Sequence, residues 1–235
     1  DRSSWSFQVG RLSSRHFVVA PDNRGSGRSE SPVEPYTIGT MAQDVISLMD
    51  IIGLDKAHLI GHGMGGLIAQ SMAAKRPGRV KSLITICTPV RPTDEQRSIY
   101  QEWLKAGEEG RDPMAISELM TPWVFSPDFL ENERWKGNVL KGRARRYGRT
   151  CWNGVRDQFE AMLRHDAMED GRCVSCPSLA LYGKYGRLVP PSSARELAEG
   201  RGGCAMELDG GHMLPLELLR SLIREEMTFL SGIDG

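Results

Sequence analysis

The sequence lacks net charge, because 30 Lys and Arg residues balance 30 Asp and Glu residues. This balance gives no electrostatic reason to expect a nucleic acid or an anionic membrane surface as a partner. Long hydrophobic runs are also missing, since SLITIC and SLALY fall far short of the roughly 20 residues that span a bilayer. These absences exclude a membrane-spanning segment and favour a small neutral molecule as the ligand, and the aromatic residues between about 90 and 171 suggest that it is partly apolar.

Cysteine is sparse as well. Five cysteines leave one unpaired under any full pairing, and their scatter does not suggest a disulfide scaffold. We therefore expect a cytoplasmic protein. Cys173 and Cys176 form a C-x-x-C pair, but no second pair lies nearby to complete a zinc site. We interpret the pair as packing residues before a strand and expect neither a metal nor a cofactor.

The chain instead shows alternating strand-like and helix-like segments, which predict an α/β fold with a mostly parallel sheet and helices on both faces. HFVVAP at 16–21 is typical of a buried strand, and Thr37 of an N-cap for a helix that runs to Ile52 and ends at Gly53. Further strands are predicted in AHLIG, VKSLITICTP, SLALYG and CAMELDGGH, and a closing helix in LPLELLRSLIREEMTFL.

Between about residues 90 and 171 this alternation breaks, and helical pieces with several Trp and Tyr residues take its place. We interpret the stretch as a helical cap inserted over the carboxyl end of the sheet, where open α/β sheets hold their ligands. The expected domains are 1–89 and 172–235 for the core and 90–171 for the cap. Trp123 and Phe125, in the turn-rich MTPWVFSPDF, are candidate substrate contacts.

The stretch LIGHGMGG at 59–66 places a glycine-flanked turn between a strand and a helix. Many hydrolases place a nucleophilic serine in the middle of such a G-x-S-x-G turn, but here that position is Gly63. Together with PDNRGSGRS at 21–29, LYGKYGRLVP at 181–190 and DGGHMLPLE at 209–217, this stretch resembles the α/β-hydrolase superfamily, specifically its capped esterases, lactonases and C–C hydrolases.

The resemblance implies a role for each motif position. Gly63 stands where the nucleophile belongs and Gly186 where the acid belongs, whereas His212 fills the position of the base. The backbone N–H of Met64 is the implied oxyanion donor. In the family mechanism the histidine takes the proton of the serine as it attacks a carbonyl, and the carboxylate orients the imidazole. Glycine performs neither the nucleophile's task nor the acid's.

The family also runs from a buried strand through an H-G loop into a helix like DRSSWSFQV, whereas this sequence opens at Asp1. That strand would lie in the middle of the sheet, between the segments at Phe17–Ala20 and His58–Ile60. Without it, two strand edges would lack partners. We therefore expect the sequence to be a fragment of a longer protein.

Other polar residues have simpler interpretations. We expect His62 to pack beside the turn, and Asp22 and Arg24 to brace their loop, although Arg24 is also placed to meet a substrate carboxylate. A buried Cys87 is an alternative nucleophile but is more typical of inert packing. Asp209 can reach toward His212, but a loop carboxylate is usually solvated.

Three functional hypotheses follow. The first is an ester or lactone hydrolase by ancestry that is impaired or inactive, because the nucleophile and the acid are both replaced. The second is a ligand-binding pseudoenzyme that keeps the capped pocket. The third is a non-hydrolytic enzyme that uses His212 as a base. The sequence does not predict the substrate or the oligomeric state.

Overall fold

The computed structural model describes all residues from 1 to 235. Its sheet has four parallel strands in the order β1-β2-β3-β4. The strands are β1 (Ala57–His62), β2 (Val80–Ile86), β3 (Ser178–Gly183) and β4 (Cys204–Leu208). Because all four run in one direction, their carboxyl ends meet at one edge, and the loops that follow them lie close together. The predicted α/β fold with a parallel sheet is confirmed.

Twelve α-helices surround the sheet. They are α1 (Ser6–Leu12), α2 (Ile38–Ile51), α3 (Met64–Lys75), α4 (Asp94–Glu108), α5 (Pro113–Val124), α6 (Pro127–Glu131), α7 (Glu133–Tyr147), α8 (Trp152–Arg164), α9 (Ala167–Gly171), α10 (Pro191–Gly200), α11 (Leu214–Glu217) and α12 (Leu219–Asp234). Six of them, α4 to α9, lie between β2 and β3 in the chain, whereas the division into core and cap domains stays a prediction. No helix combines the length and apolar character needed to cross a membrane.

Helix α2 shows how local sequence sets an element. The side chain of Thr37 accepts a hydrogen bond from the N–H of Thr40, and the hydroxyl oxygen of Thr40 accepts one from the N–H of Thr37. This capping box satisfies backbone donors that a helix start leaves free. Gly53 follows the helix with a φ of 71°. Both predicted ends of the helix are therefore confirmed.

The core has two parts, one on each face of the sheet. On one face, Leu83 of β2 packs in a cluster with residues of α2 and α3. On the other, Ile84 and Ile86 of the same strand pack with Leu222 and Leu230 of α12. This alternation is the pattern of a strand that is buried on both sides, so helices cover both faces as predicted.

The expectation of a buried strand at 16–21 is wrong. Residues 17–20 have no regular secondary structure, and Phe17 is 82% exposed. A cavity of about 650 Å³ is lined by residues 15–21 on one side and by β1 on the other. A strand requires a hydrogen-bonded neighbour, and this segment has none at its side, so its apolar residues alone do not produce a strand.

Candidate active site

Strand β1 passes into helix α3 through one residue, Gly63. Its φ of 55° and ψ of −119° lie in a region that costs a non-glycine residue roughly 1–3 kcal/mol, whereas glycine adopts positive φ values readily. The N–H of Gly63 donates to the carbonyl of Ile86 at 2.9 Å, which ties the turn to the end of β2. The turn therefore has the sharp strand-to-helix geometry of a nucleophile elbow, with no side chain at its tip.

The strand and the helix approach each other closely beside this turn. A Cβ atom at Gly61 would lie 2.2 Å from the carbonyl oxygen of Gly65, a distance that real Cβ atoms do not adopt. A Cβ atom at Gly65 itself would meet nothing within 4 Å. The glycine before the turn is therefore required by close backbone packing, whereas the one after it is not.

His212 faces the tip of the elbow. Its Nε2 and Cε1 atoms each lie 3.7 Å from the position of a Cβ atom built at Gly63. The residue is 8% exposed and follows β4 in the loop that leads to α11. A hydroxyl carried on that Cβ would be within hydrogen-bond reach of the imidazole, as a nucleophile and its base must be.

The two imidazoles of the site are neighbours. The Nε2–H of His62 donates to the backbone carbonyl of His212 at 2.9 Å, and the ring centroids are 4.7 Å apart. Burial lowers the pKa of His62, although its hydrogen bond opposes the shift. Burial lowers the pKa of His212 well below its usual value, and the charges of His62 and Arg143 lower it further. Both rings are therefore neutral at pH 7, and His212 is able to accept a proton.

The ring of His212 has one unpaired nitrogen. Its Nδ1 is buried without a hydrogen-bond partner.

Met64 is the first residue of α3, and the N–H groups of a first helical turn have no acceptor within the helix. The N–H of Met64 is therefore free to donate to a ligand oxygen, as its predicted oxyanion role requires.

Gly186 lies in a turn after β3, where its N–H donates to the carbonyl of Gly183 at 3.0 Å. The preceding N–H groups of Lys184 and Tyr185 donate to the carbonyls of Leu208 and Gly210. These bonds hold the loop of Gly186 against the segment that leads to His212. A Cβ atom at Gly186 would lie 2.3 Å from the carbonyl oxygen of Val189, so the turn is closed around a residue without a side chain.

Glu217 was not predicted from the sequence, although it ties three parts of the site together. Its carboxylate accepts a hydrogen bond from the N–H of Gly211 and another from that of Ser126, both at 3.0 Å. Burial raises its pKa, and the bonds from Ser126 and Gly211 oppose the shift. A glutamate in LPLELL carries no signal that separates it from an ordinary helix charge.

Cys87 lies in the site too, directly after β2. It is the one non-glycine residue with a positive φ, at 44°, and it is 1% exposed. Its Sγ lies 3.8 Å from the carbonyl oxygen of Gly211. Burial raises the pKa of the thiol to about 12. A thiol with this pKa is protonated at pH 7, which supports packing rather than nucleophilic attack.

Trp123 and Phe125 lie at the end of α5, against the loops of the site. The carbonyl of Trp123 accepts a hydrogen bond from Leu188 at 3.2 Å, and the guanidinium of Arg187 lies 4.4 Å from the centre of its ring. Phe125 is buried and stacked on Phe129 with centroids 4.3 Å apart. Contact of either aromatic residue with a substrate stays a prediction.

The polar residues with simpler interpretations are placed as follows. Arg24 forms two hydrogen bonds of 2.6 Å with the carboxylate of Asp44. Asp22 accepts hydrogen bonds from the N–H groups of Arg2 and Arg28, so both residues brace their loop. The side chain of Asp209 is 68% exposed and lies 3.3 Å from Lys184, which is the environment of a solvated carboxylate.

A cavity of about 440 Å³ opens beside the elbow. This volume lies within the range of small-molecule sites. Its lining includes Gly61, His62, Met64, Gly65, Arg143, Tyr147, Met213 and Leu216. The Nη1 atom of Arg143 has no hydrogen-bond partner, while its Nη2 donates to the hydroxyl of Tyr147 at 2.7 Å. The wall of the cavity is therefore mixed, because about half of its lining residues are polar or glycine, and Nη1 of Arg143 is an unpaired donor within it.

Comparison with known proteins supports the same fold. The family described as α/β hydrolase fold matches residues 2–112. The RutD protein of Variovorax paradoxus, named provisionally as a carbamate hydrolase, is 39% identical over 237 residues, covering 98% of this chain and 88% of its own. The 3-oxoadipate enol-lactonase 2 of Acinetobacter baylyi is 29% identical over 202 residues, covering 84% and 72%.

Comparison with solved structures identifies the same fold. The crystal structure of the enol-lactonase from Burkholderia xenovorans LB400 superposes with a TM-score of 0.88 and 28% sequence identity. The match covers 98% of this chain and 87% of that one. The chain resembles lactone and carbamate hydrolases in sequence and an enol-lactonase in structure, and it belongs to the α/β-hydrolase family.

Proposed function

We propose that this chain is a carboxylic ester or lactone hydrolase by descent whose hydrolytic activity is impaired or absent, because it forms no acyl-enzyme. The relatives named as enol-lactonase and as carbamate hydrolase support the substrate class, since lactones, esters and carbamates all present an acyl carbon to a nucleophile. Their names do not distinguish among these three groups for this chain.

One observation carries the proposal. The position of a Cβ atom at residue 63 lies 3.7 Å from Nε2 of His212, and Gly63 places no nucleophilic atom there. In this proposal His212 is the base and the N–H of Met64 is the oxyanion donor, placed around a missing hydroxyl. Cys87 does not replace that hydroxyl, because its thiol is buried and protonated.

A slow reaction without a covalent intermediate is compatible with this geometry. A neutral His212 can take a proton from a water molecule as that water attacks the carbonyl carbon, and the N–H of Met64 can stabilise the oxygen of the intermediate. Sites without a triad retain part of their rate enhancement from such groups. This route produces turnover but no burst.

The test is a rapid-mixing assay with an activated ester such as p-nitrophenyl acetate. We expect no release of p-nitrophenol equal in amount to the enzyme before the steady state. Mass spectrometry of the quenched protein should show no added acetyl group. A stoichiometric burst with an acetyl group on the chain would contradict the proposal. The variant His212→Ala serves as the control, since any slow turnover that depends on this base should disappear.

Ligand binding without turnover is a second candidate function. The cavity of about 440 Å³ beside the elbow and the unpaired Nη1 of Arg143 favour it, because the guanidinium can donate to a carbonyl or carboxylate oxygen of a small, partly apolar ligand. Arg143→Met should weaken the binding of non-hydrolysable lactone or lactam analogues, measured by calorimetry. The exposed Arg172, which does not line this cavity, provides the control Arg172→Met.

A further inference from the structure

One group of side chains beside the elbow is suited to a metal ion. His62, Cys87 and His212 each offer one ligand atom, and these atoms lie within 4.8 Å of one another. Cys87 and His212 are buried, and His62 is partly buried. Three ligands of this kind come from three separate parts of the chain, namely the ends of β1 and β2 and the loop after β4.

Each of the two histidines has a ring nitrogen that is free for a metal. Because Nε2 of His62 donates to the carbonyl of His212 at 2.9 Å, its Nδ1 is the nitrogen with the free lone pair. A histidine ligand typically uses one nitrogen for the metal and fixes its ring through the other. His212 has a buried Nδ1 with no partner, so a nitrogen of this ring is also unsatisfied within the protein.

We propose that His62, Cys87 and His212 form a binding site for a zinc ion. A thiolate and two imidazoles are a set of ligands that zinc prefers, with a zinc–sulfur distance of about 2.3 Å and zinc–nitrogen distances of about 2.0–2.1 Å. These values place the ligand atoms roughly 3.5 Å apart in a tetrahedron. The side chains therefore need to close by about 1 Å, a movement within the range of side-chain rotation.

Three protein ligands leave one tetrahedral position for water, which is the arrangement of open rather than closed zinc sites. His62 lines the cavity beside the elbow, so an ion has a path from solvent. The thiol of Cys87 releases its proton to solvent as the sulfur–zinc bond forms. The site includes the base of the proposed function, but zinc binding requires no hydrolysis.

Zinc binding to the full chain can be measured by calorimetry and by metal analysis after gel filtration. We expect one tight zinc ion per chain. Cobalt should bind in its place and give a thiolate-to-cobalt charge-transfer band together with the visible absorption of tetrahedral cobalt. Cys87→Ser should remove the charge-transfer band, and both Cys87→Ser and His212→Ala should weaken zinc binding by roughly tenfold or more.

Two control variants separate this site from others. Cys176→Ser removes a half-buried thiol of the C-x-x-C pair, and His16→Gln removes a histidine that lies 3.9 Å from Asp234 on the surface. Neither should change the tight binding or the cobalt spectrum. The circular dichroism spectrum of each variant confirms its folding, and His62→Gln offers a second ligand variant if Cys87→Ser does not fold.

The proposal is overturned if the folded chain binds no zinc, or if Cys87→Ser and His212→Ala bind it as tightly as the parent. It is also overturned if only Cys176→Ser or His16→Gln loses binding. The result is independent of the burst assay, because an acetylated chain would refute the proposed function and leave zinc binding to be decided by these measurements.

Discussion

The imidazole of His212 lies 3.7 Å from the point where Gly63 would carry a Cβ atom. That separation is an ordinary van der Waals contact, so the site has room for a small side chain at residue 63. The backbone there, with a φ of 55°, is nevertheless one that favours glycine. The available space would thus accept a small side chain at residue 63, whereas the positive φ disfavours any residue other than glycine.

Gly63→Ser should lower the free energy of unfolding by about 1 kcal/mol or more, because serine is strained at this φ and ψ. The lower entropy of the unfolded chain offsets the loss slightly. Denaturant midpoints measure the change. Gly65→Ser, two residues away in α3 with open space around it, is the matched control and should cause no loss. A clearly stabilised Gly63→Ser would show that the elbow geometry is wrong.

Gly186→Asp combined with Gly63→Ser should restore ester or lactone cleavage with an acyl-enzyme burst. The aspartate cannot enter without a shift of its turn, since its Cβ would lie 2.3 Å from the carbonyl oxygen of Val189. We therefore expect Gly186→Asp alone to lower stability by about 1–3 kcal/mol.

The variant with both changes and His212→Ala is the control for that experiment, and it should lose the restored activity. Stopped-flow assays on the folded proteins decide the matter. A folded double variant that remains inert would show that the pocket differs from an active hydrolase in more than its triad, which favours ligand binding.

Gly61→Ala should destabilise the fold by about 1–3 kcal/mol, because the added methyl group would meet the backbone of Gly65 and force β1 away from α3. Thermal and denaturant unfolding report the loss. Gly65→Ala changes the other side of the same contact, where a Cβ has free space, and should preserve or raise stability. Equal effects of the two substitutions would contradict the packing described for the elbow.

Glu226 should make stability depend on pH. It is fully buried between α1 and α12, where burial raises its pKa to about 7, and a hydrogen bond from Gln8 opposes the shift. In the unfolded chain the group ionises near its ordinary value of 4.5. Its contribution is therefore fully present below about pH 4.5 and is lost as the pH rises through about 7.

Glu226→Gln should remove that decline, which amounts to on the order of 3 kcal/mol at most. The comparison is the free energy of unfolding of both proteins between pH 5 and about 8. Glu196→Gln, on the exposed side of α10, should leave the pH dependence of the parent unchanged. Parallel pH curves for the parent and Glu226→Gln would contradict a raised pKa at this residue.

Structural features that depend on residues close together in the sequence were predictable. The capping box of Thr37, the glycine at 53 and the strand–turn–helix around Gly63 all follow from local residue patterns. The segment at 17–20 was not, because a strand depends on a hydrogen-bonded neighbour that an apolar pattern does not supply.

The candidate site was predictable only in part. His212 lies next to the elbow, and its role as the base, implied by the family resemblance, stays a prediction. The hydrogen bonds of Glu217 and the position of Cys87 beside both histidines join residues far apart in the chain. No periodicity or motif in the sequence reports such contacts, and the closed turn around Gly186 likewise depends on three-dimensional packing.

The conformation of Gly63 also has an evolutionary consequence. In a hydrolase of this fold, a change from serine to glycine at the elbow relaxes the backbone, so it persists without selection once catalysis is no longer needed. The reverse change must be maintained by selection for turnover against its structural cost. A side chain at residue 186 would meet the carbonyl oxygen of Val189, so the placement of an acid there is a second unfavourable step. Under the proposed function, the recovery of covalent catalysis at these two positions is therefore structurally more costly than its loss.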